Sequence, residues 1–142
     1  MVRDGETVRL GAIALTAWLT PGHTRGCTSW TLPVNEASRR LRVVFPCSLS
    51  VAGNILVGNR AYPAIAADYR HSFARLGAMK ADVVLTAHPE FADVLGRRQR
   101  QVAGKADAFV DRGLLSRIVS SARTDFEVEL AKQTAEPPRR RD

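Results

Sequence analysis

Short runs of apolar and β-branched residues alternate with polar turns along the first third of the chain. Such runs, bounded by glycine, asparagine or serine, are typical of β-strands. The pattern predicts strands at residues 7–10 and 12–19, joined at Gly11, and further strands at residues 27–34 and 41–45. The opening part of the chain is therefore expected to form a hairpin or a β-meander.

The period of the apolar positions changes after residue 60. Apolar residues then recur at three- and four-residue spacing, which predicts an amphipathic helix that begins near Tyr62 and Pro63 and ends at Gly77. The preceding stretch, residues 47–59, is rich in glycine and asparagine. We expect it to be a long loop of the kind that often lines a site.

A strand and two helices are predicted in the remainder of the chain. The β-branched run at residues 83–86 indicates a buried strand that places His88 at its end. A short helix is predicted at about residues 90–100, and a longer one, with Asp111 as its candidate N-cap, continues to about Leu130. This order of elements indicates the α+β class. Because so few helices cannot cover both faces of the sheet, the elements fit half of a layered sandwich better than a finished small domain.

The length, composition and charge of the chain indicate a single globular domain that does not bind nucleic acid. The 142 residues allow one domain, which we place at residues 1–133, and 45% hydrophobic with 25% charged residues is typical of a globular chain. Twenty-one Lys+Arg against 14 Asp+Glu give a net charge of +7. No aromatic residues alternate with the arginine clusters, so we interpret the clusters as solvated surface and expect no nucleic-acid partner. Residues 134–142 are predicted to be a flexible charged tail.

Short sequence features suggest the cellular location of the chain and the oxidation state of its two cysteines. No apolar run in the sequence suits a signal peptide or the roughly 20 residues of a membrane-spanning helix. We therefore expect no membrane partner and, for the chain as given, a cytoplasmic location. Cys27 and Cys47 lack a Cys-x-x-Cys pattern and a neighbouring histidine, so buried free thiols are favoured over a disulfide or a metal role.

Two of the three histidines stand where strands end. His23 lies on the turn Pro21-Gly22-His23-Thr24, and His88 follows the predicted strand at residues 83–86. Histidines on such rigid supports are candidates for metal ligands or acid–base groups, and the alternative for each is a structural or merely exposed turn residue. His71 is interpreted as a helix-surface residue. Because a catalytic zinc uses about three protein ligands, two histidines amount to a partial metal site.

The two histidine segments belong to longer motifs. Residues 19–31 (LTPGHTRGCTSWT) resemble the zinc-ligand loop of metallo-β-lactamases, specifically of subclass B3. Residues 44–54 (VFPCSLSVAGN) resemble the substrate-facing loop of that family, and residues 82–89 (DVVLTAHP) resemble the strand that carries its last histidine ligand. The helix between them is similar as well, and the resemblance extends to about Gln133.

The resemblance implies a fold and a set of site residues. The fold is a four-layer αββα sandwich of two similar halves, of which this chain would supply about the C-terminal half. Two zinc ions lie between the halves, and His23 would bind the first and His88 the second. Ser48 takes the place where a related subclass has a zinc-binding cysteine, and Ser50 would reach the carboxylate of the substrate.

The activity of the complete family is implied in the same way. Its members hydrolyse the β-lactam amide bond of penicillins, cephalosporins and carbapenems with a zinc-bound hydroxide, which gives antibiotic resistance, and they are periplasmic. The β-lactam antibiotic would be the small-molecule partner. No side chain of this chain is expected to serve as the catalytic nucleophile.

One departure from the family bears on activity. The sequence contains no His-x-His-x-Asp-His motif, which supplies the other zinc ligands in that family. We therefore expect Met1 to be an internal or misassigned start, or the start of a truncated gene, with the missing N-terminal half as a partner. The isolated chain is expected to be inactive. The alternatives are another hydrolase of the same fold, such as a lactonase, and a non-catalytic fragment.

Overall fold

A five-stranded sheet is the main feature of residues 2–135, the part of the chain that the computed structural model describes. Its strands are β1 (Thr7–Leu10), β2 (Ile13–Leu19), β3 (Thr28–Glu36), β4 (Arg39–Phe45) and β5 (Val83–Val84). The first four are consecutive antiparallel neighbours, and β5 pairs with β4 in parallel at the edge. The predicted meander is confirmed, and β5 is shorter than the predicted strand at residues 83–86.

Tight turns set the register of the meander. Gly11, with φ of 58°, stands between β1 and β2, and Ala37, with φ of 52°, stands between β3 and β4. Two-residue hairpin loops need such positive φ values to match the twist of the strands. A parallel neighbour cannot be reached by a hairpin, and the crossover from β4 to β5 passes through a long loop and a helix.

Three α-helices occur within residues 2–135, and their bounds are α1 (Ile65–Gly77), α2 (Val94–Val102) and α3 (Leu114–Ala135). The predicted helix at residues 90–100 is divided into a 3-10 turn, Pro89–Ala92, and α2, because Asp93 between them is left-handed with φ of 48°. None of these helices is both long and apolar enough to cross a bilayer. Residues 136–142 of the predicted tail lie outside the described residues.

The main core lies between one face of the sheet and helices α1 and α3. Tyr69 and Phe73 of α1 and Phe126 of α3 have ring centroids 5.1, 5.5 and 5.9 Å apart. Val44 of β4 and Val84 of β5 close the cluster from the sheet side. Burial of each large apolar side chain contributes roughly 1.5–3 kcal/mol, so this cluster ties the helices to the sheet.

The opposite face of the sheet is also apolar. The side chains that pack together on it come from β3, β4, β5 and the residue after it, and the segment before α3: Leu32, Leu41, Val43, Phe45, Val83, Leu85, Phe109 and Val110. The alternation along β1 and β2 places Leu10 and its partner Ile13 on the same face, where they are 78% and 51% exposed. This face is covered over β4 and β5, where Leu41, Val43 and Val83 are buried, and it is open over β1 and β2. Because a sheet with two apolar faces is normally covered on both, the uncovered part is what half a sandwich would leave.

Cys27 and Cys47 form a disulfide, which corrects the expectation of free thiols. Cys27 comes just before β3 and Cys47 just after β4, and the register of this antiparallel pair sets Trp30 opposite Phe45. The same register brings both cysteines to one end of the hairpin, with Cα atoms 5.7 Å apart, which is within disulfide range. Strand register is a long-range property, and residue spacing alone did not reveal it.

Candidate functional site

His23 lies in the loop between β2 and β3, and this loop packs against α1. Gly22 has φ of 141°, and a Cβ atom there would lie 2.9 Å from ring carbons of Tyr69, so the position requires glycine. The Ser72 hydroxyl donates a hydrogen bond of 2.6 Å to the Pro21 carbonyl oxygen. These contacts fix the backbone from which His23 projects.

The ring of His23 is oriented by the loop that follows β4. Its Nδ1 lies 2.8 Å from the backbone carbonyl oxygen of Ser50. A carbonyl oxygen can only accept, so Nδ1 carries the proton and the neutral ring keeps its lone pair on Nε2. An imidazole held through one nitrogen with the other left as an electron-pair donor is the arrangement that metal-binding histidines adopt.

The buried Tyr69 and the half-buried Asn54 support this contact. The Tyr69 hydroxyl donates a hydrogen bond of 2.7 Å to the same Ser50 carbonyl, and burial raises the pKa of Tyr69, which keeps the hydroxyl protonated as a donor. The Asn54 amide donates to the His23 carbonyl at 3.1 Å and to the Tyr69 hydroxyl at 3.3 Å. His23 is therefore fixed at its ring and at its backbone by one connected network.

A cleft of about 370 Å³ opens beside the same loop. Residues 46–53 form one wall, and His88 and one side of α3 form the others. The hydroxyl oxygens of Ser48 and Ser50 lie 3.0 Å apart on the loop wall. The cleft thus offers a mostly apolar surface with two adjacent hydroxyl groups, which suits a small polar molecule with an apolar body.

His88 lies at the mouth of this cleft. Its side chain is 66% exposed, and its Nδ1 is 3.7 Å from a carboxylate oxygen of Glu90. Its ring is nearly perpendicular to that of Phe91, with centroids 6.0 Å apart. The Thr86 hydroxyl donates to the His88 carbonyl at 2.7 Å, which fixes the backbone after β5. His71 is exposed on α1 and does not line the cleft.

The structure places Ser48, Ser50 and His88 on one cleft and fixes His23 against the carbonyl of Ser50. These residues do not form a complete metal site. Residues 2–135 contain no group of three or more histidine, cysteine, aspartate or glutamate side chains able to hold a metal ion. Asp93 is paired with Arg100 at 2.7 Å, and Cys47 is engaged in the disulfide. The described residues alone therefore do not fit a zinc ion.

The sequence interpretation missed four residues of this region. Tyr69 and Asn54 form the network around His23, and Asp125 and Glu129 of α3 line the cleft. The four-residue spacing of the two acidic residues places them on one face of a helix, a signal that is readable from sequence. No local signal marks Tyr69, because its spacing is that of any core residue of an amphipathic helix.

Solved structures of metallo-β-lactamases match the chain closely. BJP-1, a subclass B3 metallo-β-lactamase of Bradyrhizobium japonicum, superimposes with a TM-score of 0.90 at 43% identity, over 94% of this chain and 51% of that one. FEZ-1 from Legionella gormanii gives a TM-score of 0.91 at 38% identity, over 95% and 52%. MEM-A1, a subclass B3 enzyme from a soil metagenome library, gives 0.88 at 35%, over 96% and 53%. No protein-family model matches the chain.

The chain thus has the fold of the metallo-β-lactamases. Within that fold it matches the C-terminal half of subclass B3 members, which confirms the resemblance predicted from residues 19–31, 44–54 and 82–89. The chain spans about half the length of the structures it matches. A match to half of a sandwich fold agrees with the apolar sheet face that is left uncovered over β1 and β2.

Proposed function

We propose that this chain carries one half of the active site of a class B, subclass B3 zinc β-lactamase. His23 and His88 are its metal ligands, one for each of two zinc ions, and Ser48 and Ser50 position the substrate. The remaining ligands come from outside these 142 residues, on a segment that covers the open face of the sheet. The substrate is a β-lactam antibiotic, and the product is the ring-opened amino acid.

The observation that carries this proposal is the hydrogen bond between His23 Nδ1 and the Ser50 carbonyl oxygen. It makes Nε2 the free donor atom and ties the ligand to the loop that bears both serines. Similarity to solved subclass B3 structures at up to 43% identity supports the same assignment.

The cleft supports a β-lactam as the substrate class. Phe91 and Ile118 provide apolar walls, and the paired hydroxyls of Ser48 and Ser50 can donate to a carboxylate. Because His23 and His88 lack the other zinc ligands, we expect the chain alone to show no β-lactam hydrolysis, whatever the zinc concentration.

The test is complementation. The chain is mixed, or refolded together, with the N-terminal half of BJP-1 in the presence of zinc, and hydrolysis of nitrocefin and imipenem is measured. We expect turnover in the mixture and none from either half. His23→Ala and His88→Ala should each abolish the turnover, whereas the matched control His71→Ala should retain it.

Three results would contradict the proposal. The first is a stable mixed complex that binds zinc yet hydrolyses neither substrate, and the second is full activity of His23→Ala. The third is faster hydrolysis of an acyl-lactone than of any β-lactam, which would favour a lactonase of the same fold. A chain that forms no complex and only aggregates would favour the non-catalytic fragment.

We further propose a periplasmic location for the complete protein. The Cys27–Cys47 disulfide supports it, since such bonds form and persist in oxidising compartments and are rare in the cytosol. Fractionation of cells that express the complete gene, followed by immunodetection, tests this location.

A further inference from the structure

A second concave surface lies away from the histidine residues. It is a groove of about 760 Å³ between the helix-facing side of β2, β3 and β4 and the segment that follows α1. Thr16, Trp18 and Thr31 form its sheet wall, and Met79 and Lys80 form the opposite edge. It shares no lining residue with the cleft that His88 borders.

The groove concentrates positive charge. Four of its lining residues are cationic, namely Arg40, Arg42, Lys80 and Arg112, and one, Asp82, is anionic. All four cations are solvent-exposed. Within residues 2–135, Arg40 and Lys80 take part in no side-chain hydrogen bond or ion pair, so their charges are not neutralised by a protein partner there.

Asp82 organises two of the four cations. Its side chain is only 5% exposed, and its two carboxylate oxygens accept from Arg42 Nε at 3.2 Å and Arg112 Nε at 3.0 Å. Both guanidinium groups are held through Nε, which leaves their terminal Nη groups outside these contacts. Arg42 and Arg112, which are 70 residues apart in the chain, are thus both held in place by the buried carboxylate of Asp82.

The wall between the cations is polar and aromatic. Trp18 donates from its indole nitrogen to the Thr31 hydroxyl at 2.9 Å, and Arg75 lies 5.1 Å above its ring. Trp18 is therefore fixed in place, at a position where it would report on a molecule that enters the groove.

We propose that this groove is a binding site for a multiply charged phosphate-bearing anion, such as an oligophosphate or a nucleoside triphosphate. Several guanidinium and ammonium groups around one concave surface match the charge and the acceptor oxygens of such a ligand. A single carboxylate, already used by two arginines, leaves a surplus of three positive charges for it. The site is independent of the zinc half-site and of the activity proposed for it.

Isothermal titration calorimetry of the full chain with sodium tripolyphosphate, ATP and adenosine tests the proposal. The fluorescence of Trp18, recorded in a Trp30→Phe background, is a second readout. The groove variant is Arg40→Gln/Lys80→Gln, at two exposed positions. The matched control is Arg60→Gln/Arg123→Gln, which removes the same charge from exposed positions outside the groove.

We expect saturable binding of tripolyphosphate and ATP, no binding of adenosine, and about tenfold weaker binding by the groove variant. The control should change affinity by less than about twofold. Equal weakening in both variants would overturn the proposal, because it would show unspecific attraction to a basic protein. So would adenosine binding as tightly as ATP, or an absence of saturation for both anions.

Discussion

The Tyr69 hydroxyl and the His23 ring meet on one atom, the backbone carbonyl oxygen of Ser50, at 2.7 and 2.8 Å. A fully buried residue of the helix core is thereby connected to the half-buried loop after β4 through a single acceptor. The position of the candidate ligand depends on the packing of α1 as much as on its own loop.

Replacing Tyr69 by phenylalanine keeps the ring and removes this connection. We expect a loss of about 1 kcal/mol in the free energy of unfolding and faster amide exchange in residues 48–54. Tyr62→Phe is the matched control, because its hydroxyl bonds Asp68 at 2.6 Å and not the loop. Unchanged exchange in Tyr69→Phe, measured by mass spectrometry, would show that the loop does not depend on this hydroxyl.

The tautomer of His23 is a second prediction. Because Nδ1 faces a carbonyl oxygen, the neutral ring should carry its proton on Nδ1, whereas a free imidazole prefers the Nε2–H form. Long-range ¹H–¹⁵N correlation spectra at pH 8 distinguish the two forms, and the exposed His71 provides the internal reference. The same tautomer in both residues would contradict the hydrogen bond.

The Cys27–Cys47 disulfide closes a loop across a sequence separation of 20. Cross-linking of a loop of that length restricts the unfolded chain, and its removal should cost about 3 kcal/mol. We expect Cys27→Ser/Cys47→Ser to unfold at lower urea concentration. Wild-type protein in reducing buffer should shift by a similar amount, and a double variant as stable as the oxidised wild type would refute the prediction.

Stability should fall in acid through Asp82. The backbone N–H of Arg42, followed by the two guanidinium groups, lowers the pKa of Asp82 from 3.8 to about 2 against the opposing effect of burial. A lowered folded-state pKa means that the stabilisation is complete above about pH 4 and is lost as the pH falls through 2. We expect Asp82→Asn to lose up to about 2 kcal/mol near neutral pH and to differ less from wild type near pH 2. Urea titrations at each pH measure this difference, and a deficit of Asp82→Asn that is the same at pH 2 as at pH 7 would contradict the prediction.

The open apolar face gives a prediction about solution behaviour. A contiguous exposed apolar surface binds hydrophobic dyes and promotes association. We expect Leu10→Ser/Ile13→Ser to reduce dye fluorescence and aggregation with little loss of stability, since both side chains are largely exposed. Val128→Ser, on α3 and similarly exposed, should leave dye binding unchanged. A cooperative monomeric melt of the unmodified chain without dye binding would contradict this picture.

Local patterns predicted most of the elements. The four antiparallel strands and α1 follow from residue periodicity and turn residues, which act over a few positions. The parallel pairing of β5 with β4 and the Cys27–Cys47 bond depend on contacts between distant segments, and these left no local signal. The same holds for the candidate site. The motifs predict His23 and His88 as site residues, whereas the spacing of Tyr69 marks it only as a core residue.

The close approach of Gly22 to Tyr69 changes how the Pro-Gly-His turn is to be understood in other sequences. Its glycine satisfies a steric demand of the helix beneath it, so selection for folding alone is enough to preserve the first part of the motif. A chain that has lost its metal chemistry can keep glycine at this position for as long as it keeps α1. Recognition of a functional relative should therefore depend on the histidine and on the loop that orients it.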